Sequence, residues 1–202
     1  MIGIIDYGMG NLGSVGNALS YLEVPYMICD TEEQIKQCDK LILPGVGAFA
    51  QGMENLKNKG LDVVIRDAVD NQIPLLGICL GMQMLFETSE EKGHHEGFGF
   101  IAGKVIKIEE NLPVPEIGWN QLVFNHEYPL QQILTNEPYV YYVHSYYASV
   151  TNEENLVAYS EYGNTKVAGI VQQGNVLGTQ FHPEKSGEQG LKILKYFVEE
   201  FI

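Results

Sequence analysis

The stretch Pro74-Leu-Leu-Gly-Ile-Cys-Leu-Gly-Met-Gln83 decides the fold. Its first half is an uninterrupted apolar run, which is typical of a parallel strand buried on both faces of a sheet. Gly77 and Gly81 flank Cys79 and allow a strand and the helix after it to pack closely around a sharp turn. The spacing therefore predicts a strand that ends in a turn at Cys79, followed by a helix over 80–87.

The segments before this unit repeat its order of strand and helix. Apolar runs predict the strands, and apolar residues at helical spacing predict the helices. The predicted strands are 2–5, 26–29, 41–43 and 74–78, and the predicted helices are 12–22, 31–37 and 52–69. After about residue 97 the segments are short and rich in β-branched or aromatic residues, which indicates antiparallel or mixed strands. These include 105–108, 139–143, 168–171 and 176–181, and an amphipathic helix is predicted over 190–202.

This order of elements predicts an α/β fold. We expect a flavodoxin-like mixed, mostly parallel sheet flanked by helices, with antiparallel strands added in the C-terminal half, most of them to the same sheet. The sequence contains no internal repeat and no low-complexity linker. Residues 1–202 are therefore expected to form a single domain.

Composition narrows the class of protein. The 202 residues include 26 acidic and 12 basic side chains, so the formal net charge is −14, and 45% of residues are hydrophobic. This content excludes a disordered chain, and the acidity argues against nucleic acid or an anionic membrane as partner. No apolar run reaches a membrane span and no signal peptide is evident, so a cytoplasmic location is expected. Three cysteines without a C-x-x-C pair fit free thiols and predict neither a metal site nor a cofactor.

A glycine motif near the N-terminus offers a different hypothesis. Gly8-Met-Gly-Asn-Leu-Gly13 matches G-x-G-x-x-G between a strand and a helix, and Asp30 ends the next strand. This arrangement is found in dinucleotide-binding domains. The chain offers no second domain for a substrate, however, and a glycine-rich turn that passes close to a neighbouring surface explains the motif as well.

Cys79 is the candidate nucleophile. Gly-Ile-Cys-Leu-Gly has the form of the nucleophile elbow G-x-S-x-G, with cysteine in place of serine. The turn places Cys79 at a helix N-terminus, which favours the reactive thiolate, and directs the N–H of Leu80 to where an oxyanion would form. Cys29 and Cys38 lack glycine neighbours and are expected to be buried structural thiols.

A thiol nucleophile needs a base, and the base needs a group that orients it. Of five histidines, only His182 directly follows a strand and is succeeded by a proline and a carboxylate, Glu184. That carboxylate can accept a hydrogen bond from the imidazole Nδ1. His144 is expected to be a non-catalytic histidine whose ring has hydrogen-bond partners. The remaining histidines lie in polar loops and turns; they are His94, His95 and His126.

These motifs resemble those of the triad-type glutamine amidotransferases. The similarity rests on Gly-Ile-Cys79-Leu-Gly-Met-Gln and on Gln-Phe-His182-Pro-Glu-Lys-Ser. Further motifs are similar to one branch of that family, the glutaminase subunits of imidazole glycerol phosphate synthase in histidine biosynthesis. They are Asp6-Tyr-Gly-Met-Gly-Asn-Leu, Pro44-Gly-Val-Gly-Ala-Phe, Ile117-Gly-Trp-Asn and Val143-His-Ser-Tyr, and they span the chain.

The resemblance implies an enzyme that hydrolyses glutamine to glutamate and ammonia through a Cys-His-Glu triad and a thioester. It implies an oxyanion hole from the backbone of Leu80 and of the turn at Val46 and Gly47. By position in the family, the glutamine-binding groups are Gln83, Ser145, Tyr146 and, more weakly, Glu91.

The resemblance also implies a partner, a cyclase subunit that forms a heterodimer with this chain and receives the ammonia. The docking residues would be Met9, Asn11, Trp119 and Lys185, although ordinary core packing explains Trp119 equally well. No Walker-type loop or basic cluster is present to hold a phosphorylated acceptor. Two alternatives remain at this point: a glutaminase of another synthase, of the pyridoxal phosphate or aminodeoxychorismate type, and a non-enzymatic binding module.

Overall fold

The computed structural model describes residues 1–108 and 111–202. Within these ranges the helices are α1 Leu12–Tyr21, α2 Glu32–Ile35, α3 Phe49–Asn58, α4 Leu61–Asp70, α5 Leu80–Met84 and α6 Gly187–Glu199. The strands of the first half are β1 Ile2–Ile5, β2 Tyr26–Cys29, β3 Lys40–Gly45, β4 Leu75–Cys79, β5 Phe86–Ser89, β6 His95–Glu96 and β7 Ile101–Lys107. Those of the second half are β8 Glu116–Gln121, β9 Val123–Phe124, β10 Tyr139–His144, β11 Tyr146–Val150, β12 Leu156–Tyr162, β13 Thr165–Gln173 and β14 Val176–Thr179.

An eight-stranded mixed sheet forms the centre of the molecule, in the order β2-β1-β3-β4-β14-β13-β12-β9. The first five strands are parallel, and the last three continue the sheet in antiparallel fashion. The predicted fold class is therefore confirmed. Because β3, β4 and β14 are parallel neighbours, their carboxyl ends lie together at one edge, where such sheets carry their binding sites.

The central strands are buried on both faces, as their uninterrupted apolar sequences predicted. On β4, Leu75 packs in one core cluster with α3 and α4, while Leu76 and Ile78 pack in another with α1 and α6. Each strand thus supplies both cores by simple alternation of side chains. This double packing makes the sheet a rigid platform for the residues at its edge.

Two predicted helices were wrong in extent. The helix predicted over 52–69 is two helices, α3 and α4, because Gly60 between them adopts φ +70° and ends the first. The helix predicted over 80–87 ends at Met84, and Phe86 already begins β5. The cause is tertiary, since Phe86 is fully buried and pairs with Ile101 of β7.

The later strands join the main sheet less often than predicted. Only β9, β12, β13 and β14 do so; β11-β7-β5-β6 form a second sheet and β10-β8 a separate ribbon. That ribbon and the second sheet bring residues of the second half over the carboxyl edge of the main sheet. Within residues 1–108 and 111–202, every helix is too short or too polar to be a membrane span.

Candidate active site

Cys79 sits in a strained turn at the end of β4 and the start of α5. Its backbone has φ 55° and ψ −109°, a conformation that non-glycine residues rarely adopt. A Cβ on Gly77 would lie 2.8 Å from the backbone of Gly81, and one on Gly81 would overlap the Leu43 carbonyl. Both glycines are therefore needed for the helix to pack this close to the sheet, as the sequence predicted.

The turn after β3 lies beside the nucleophile. Gly45 is the strand neighbour of Cys79, and a Cβ there would lie 2.9 Å from the Gly81 nitrogen. Gly47 adopts φ +104°, and Val46 between the two glycines is 42% exposed. The backbone of this turn is thus free to face a molecule bound at Cys79.

His182 follows β14 and forms a buried pair with Glu184. The Nδ1 atom lies 2.8 Å from Glu184 Oε1, and the two side chains are 2% and 1% exposed. Burial lowers the pKa of His182, but its interactions with Cys79 and Glu184 outweigh that effect and raise the pKa to about 9. The other ring nitrogen, Nε2, has no aligned hydrogen-bond partner in the described chain. It is therefore the nitrogen available for proton exchange with a reacting group.

Cys79, His182 and the Val46–Gly47 turn line one cavity of about 510 Å³. Its lining includes Cys79 and His182 together with every residue the sequence assigned to the oxyanion hole and the substrate. The lining residues are Val46, Gly47, Cys79, Leu80, Gln83, Glu91, Lys92, Pro115, Val143, His144, Ser145, Tyr146 and His182. Residues far apart in the chain thus meet at the carboxyl edge of the sheet.

Gln83 is 6% exposed rather than a solvated helix residue. Its amide nitrogen donates to the Tyr146 carbonyl at 2.8 Å and to Gln180 Oε1 at 3.1 Å. The Gln180 amide nitrogen in turn lies 3.8 Å from the Cys79 sulfur. Glu91 accepts the backbone N–H of Phe49 at 2.8 Å, which fixes its carboxylate at the cavity.

Sequence reasoning missed Gln180 and Glu116. Gln180 was assigned to a strand, although its place two residues before His182 was a usable signal. Glu116 is 3% exposed, and its Oε2 lies 3.0 Å from His144 Nε2, an ion-pair distance without the alignment of a hydrogen bond. His144 Nδ1 lies 2.9 Å from the Tyr146 carbonyl. Only the cross-strand register of β8 and β10 places this second pair at the cavity.

The other thiols and histidines lie away from the cavity. Cys29 and Cys38 are buried with their sulfurs 3.7 Å apart, and burial together with Cys38 raises the pKa of Cys29 to about 12. His94 and His126 are exposed, and His95 is half-buried in β6 rather than in a loop. No group of three or more His, Cys, Asp or Glu side chains within residues 1–108 and 111–202 is arranged to hold a metal ion.

The residues predicted for docking lie at the surface. Trp119 is 56% exposed, which decides against core packing, and its ring meets Tyr141 edge-on at 6.0 Å. Asn11 and Lys185 are exposed and Met9 is half-buried. A Cβ on Gly47 would lie 2.7 Å from the Met9 methyl group, so the N-terminal turn touches the turn beside Cys79.

The first two glycines of the G-x-G-x-x-G motif have local structural roles. Gly8 donates its N–H to Asp6 Oδ1 at 2.9 Å, and Gly10, with φ +121°, packs against Pro44 at the end of β3. Asp30 is exposed. The turn brings the N-terminal segment against the β3 turn, which accounts for the motif without a dinucleotide.

The Cys79 turn and the buried histidine–glutamate pair, at the carboxyl edge of a mostly parallel sheet, are the arrangement expected from the resemblance to the triad-type amidotransferases. The family model described as "Glutamine amidotransferase class-I" matches residues 3–201. Solved structures share the fold. One described as a glutamine amidotransferase has TM-score 0.78 and 20% identity, covering 98% of this chain and 97% of its own. A chain of the structure described as PurLQS from Thermotoga maritima has TM-score 0.71 and 19% identity, with coverages of 98% and 96%.

Curated relatives of higher identity include proteins named imidazole glycerol phosphate synthase subunit HisH. The protein of that name from Geobacillus sp. (strain WCH70) is 50% identical over 98% of this chain and 95% of its own length. That from Bacillus subtilis (strain 168) is 47% identical over 98% and 96%. The chain belongs to the class-I glutamine amidotransferases and, within them, to the family of HisH subunits. The predicted family and enzyme class are confirmed, and the alternatives of another synthase, a dinucleotide-binding domain and a non-enzymatic module are not supported.

Proposed function

We propose that residues 1–202 act as a single glutamine amidotransferase domain that hydrolyses glutamine through Cys79, His182 and Glu184. The observation that carries this proposal is the meeting of the strained Cys79 turn and the buried His182–Glu184 pair at one cavity. A nucleophile, a base and a group that orients the base are the parts that such a hydrolysis requires.

In the first half-reaction the Cys79 thiolate attacks the side-chain amide carbon of glutamine. The N–H of Leu80 and a backbone N–H of the Val46–Gly47 turn hold the resulting oxyanion, each donor contributing about 3 kcal/mol. Because the pKa of His182 is about 9, its ring is protonated at neutral pH and gives its proton to the departing nitrogen. The carbon–nitrogen bond breaks, ammonia leaves, and a thioester remains.

In the second half-reaction water replaces ammonia. His182 Nε2, now neutral, takes a proton from water, which attacks the thioester carbon. The carbon–sulfur bond breaks, glutamate leaves, and the thiolate returns beside a protonated ring. Glu184 keeps Nδ1 as the donor to its carboxylate throughout, so the same nitrogen faces the substrate in both steps.

Four residues are proposed to bind glutamine. Gln83, Ser145 and Tyr146 line the cavity on the side of β11, and Glu91 supplies a carboxylate for the α-ammonium group. The hydrogen bond from Gln83 to the Tyr146 carbonyl fixes the shape of this side of the cavity. The substrate would therefore meet preformed polar groups.

We also propose a heterodimer with a cyclase subunit that receives the ammonia for histidine biosynthesis. The relatives are named as synthase subunits. Asn11, Trp119 and Lys185 are exposed, and Met9 contacts Gly47 of the cavity lining. A net charge of −14 suits a chain that leaves the phosphorylated acceptor to its partner. Free thiols fit a reducing cytoplasm.

The test is glutaminase turnover with and without the cyclase partner and its nucleotide ligand. Activity is expected to be weak for the chain alone and stronger in the complex. Cys79→Ala should abolish it while the complex still forms, and Cys38→Ala, which removes a buried thiol away from the cavity, should retain it. Turnover by Cys79→Ala close to that of the unaltered protein would refute the proposed chemistry.

A further inference from the structure

Gln180 is buried beneath the cavity and is 0% exposed. It lies between the end of β14 and His182, where its backbone N–H donates to the Gly169 carbonyl at 3.0 Å. Its side chain is a polar group that the proposed reaction does not use. A fully buried amide is expected to have partners for its donor and its acceptor, and those partners indicate what it does.

The orientation of this amide follows from its neighbours. The Tyr146 carbonyl can only accept a hydrogen bond, so the Gln83 atom 2.8 Å from it must be the amide nitrogen. The same nitrogen is 3.1 Å from Gln180, so the Gln180 atom facing it must be the oxygen. The Gln180 nitrogen is left to face the Cys79 sulfur at 3.8 Å.

We infer that Gln180 belongs to the catalytic machinery: its amide nitrogen donates a hydrogen bond to the Cys79 sulfur and stabilises the thiolate. This rests on the proposed function, since it concerns the same nucleophile. A donor at sulfur favours the charged form, because a hydrogen bond to a charged acceptor is stronger than one to a neutral acceptor. Gln83 contributes indirectly, because its hydrogen bond to the Gln180 oxygen orients the Gln180 nitrogen toward the sulfur.

Few other groups control the charge on this sulfur. His182 interacts with it and is in turn held by Glu184. Tyr7 is neutral, because burial and the proximity of Cys79 hold its pKa well above the ordinary value, and its hydroxyl donates to the Pro44 carbonyl at 2.9 Å. The Val143 carbonyl, 4.0 Å from the sulfur, can accept the thiol proton but offers nothing to a thiolate. Among the described residues, Gln180 is thus the side chain whose geometry places a hydrogen-bond donor at the sulfur.

The experiment is alkylation of Cys79 by iodoacetamide as a function of pH, followed by peptide mass spectrometry. The full chain is used, in the absence of glutamine and partner. Gln180→Met keeps a side chain of similar length but removes the donor, and we expect the rate at pH 7 to fall about tenfold or more. The curve of rate against pH should move to higher pH by a corresponding amount. Gln180→Glu, which places a carboxylate oxygen at the sulfur, should move it further.

The control is Gln172→Met, the same replacement at a side chain that accepts from the Tyr128 hydroxyl at 2.6 Å. It should leave the alkylation curve unchanged. Steady-state glutaminase assays add a second readout, in which Gln180→Met lowers kcat more than it raises KM. A purely structural role for Gln180 would lower thermal stability without moving the alkylation curve.

A folded Gln180→Met protein with the alkylation curve of the unaltered chain would overturn the inference. If that variant does not fold, Gln180→Glu decides in its place, since it retains the volume and the acceptor toward Gln83. An unmoved curve would then overturn the inference equally. Alkylation needs neither glutamine nor a partner, so absence of glutaminase activity would count against the proposed function alone.

Discussion

Two buried histidine–glutamate pairs lie at the same cavity, and only one is arranged for proton transfer. In the first, Glu184 faces Nδ1 of His182 at 2.8 Å and leaves Nε2 without an aligned partner in the described chain. In the second, each nitrogen of His144 faces an oxygen: Nδ1 is 2.9 Å from the Tyr146 carbonyl, and Nε2 is 3.0 Å from Glu116 without hydrogen-bond alignment. The nitrogen that the carboxylate faces therefore distinguishes His182, the proposed base, from His144, which positions a neighbouring carbonyl group.

The backbone explains the difference. His182 and Glu184 lie two residues apart around a short 3-10 turn at Pro183–Lys185, so the carboxylate folds back to the near side of the ring. His144 and Glu116 are directly opposite on the antiparallel strands β10 and β8, so this carboxylate approaches the far nitrogen from across the ribbon. Local and cross-strand pairing thus present different ring nitrogens to the carboxylate, which is why different roles are proposed for the two histidines.

The largest expected effect is that of His182→Asn, which removes the proposed acid and base while leaving a polar side chain. We expect kcat for glutamine hydrolysis to fall by about 10⁴-fold, as when one member of a triad is lost. The measurement is steady-state glutaminase activity in the complex. His126→Asn, at an exposed site, is the control. Activity within tenfold of normal would contradict the assignment of His182.

Glu184→Gln should have the next largest effect, about a 10²-fold loss of kcat, because the ring loses its orienting carboxylate. Interactions with Cys79 and Glu184 outweigh burial and raise the pKa of His182 to about 9, so this variant should lower it. The measurement is the NMR titration of the His182 ring. A titration midpoint that does not move would contradict the role of Glu184.

The same raised pKa has a consequence for stability. Because the value in the folded chain exceeds the ordinary value of 6.5, the contribution of this ring to the free energy of unfolding is full below about pH 6.5. It is lost as the pH rises through about 9. Denaturant unfolding at pH 6 and pH 10 should therefore show a smaller pH dependence in Glu184→Gln than in the unaltered chain.

The two pairs also illustrate which features of the molecule can be predicted from the sequence. The parallel sheet, the Cys79 turn and the nearness of Glu184 to His182 follow from apolar runs, glycine spacing and close sequence separation. The break at Gly60 and the strand at Phe86 did not, since pairing with β7 overrides the helical pattern after Met84. Local patterns determine local structure, and the predictions failed where a distant strand decides.

The same limit applied to the site. Gln83 was identified, but its burial depends on Tyr146 and Gln180, which lie 63 and 97 residues further along the chain. Glu116 was missed because nothing near it in sequence suggests a partner, and His144 was expected only to be satisfied. Residues at the ends of strands were predictable, whereas the cross-strand network around them required the register of the sheet.

A smaller effect is expected from His144→Asn. His144 holds the Tyr146 carbonyl together with Gln83, and Tyr146 is proposed to bind glutamine. We expect KM for glutamine to rise about tenfold, the cost of one hydrogen bond to a positioned group, with a lesser change in kcat. Separate determination of KM and kcat in the complex checks this. A loss of kcat comparable to that of His182→Asn would erase the distinction between the two histidines.

The smallest effect should come from Glu116→Gln. The new amide can still accept from Asn120, as Glu116 Oε1 does at 3.0 Å, and can donate to a neutral His144 ring. KM should change by less than about threefold and the free energy of unfolding by less than about 1 kcal/mol.

Glu116→Ala is the matched contrast, because it removes the carboxylate that faces the buried His144 Nε2, at a cost of about 1–3 kcal/mol. Denaturant unfolding and glutamine KM measure both variants. If the glutamine variant behaved like the alanine variant, the site would need the negative charge of Glu116 itself. His144 would then have to be a charged imidazolium at the cavity, and the two pairs would differ in geometry but not in charge.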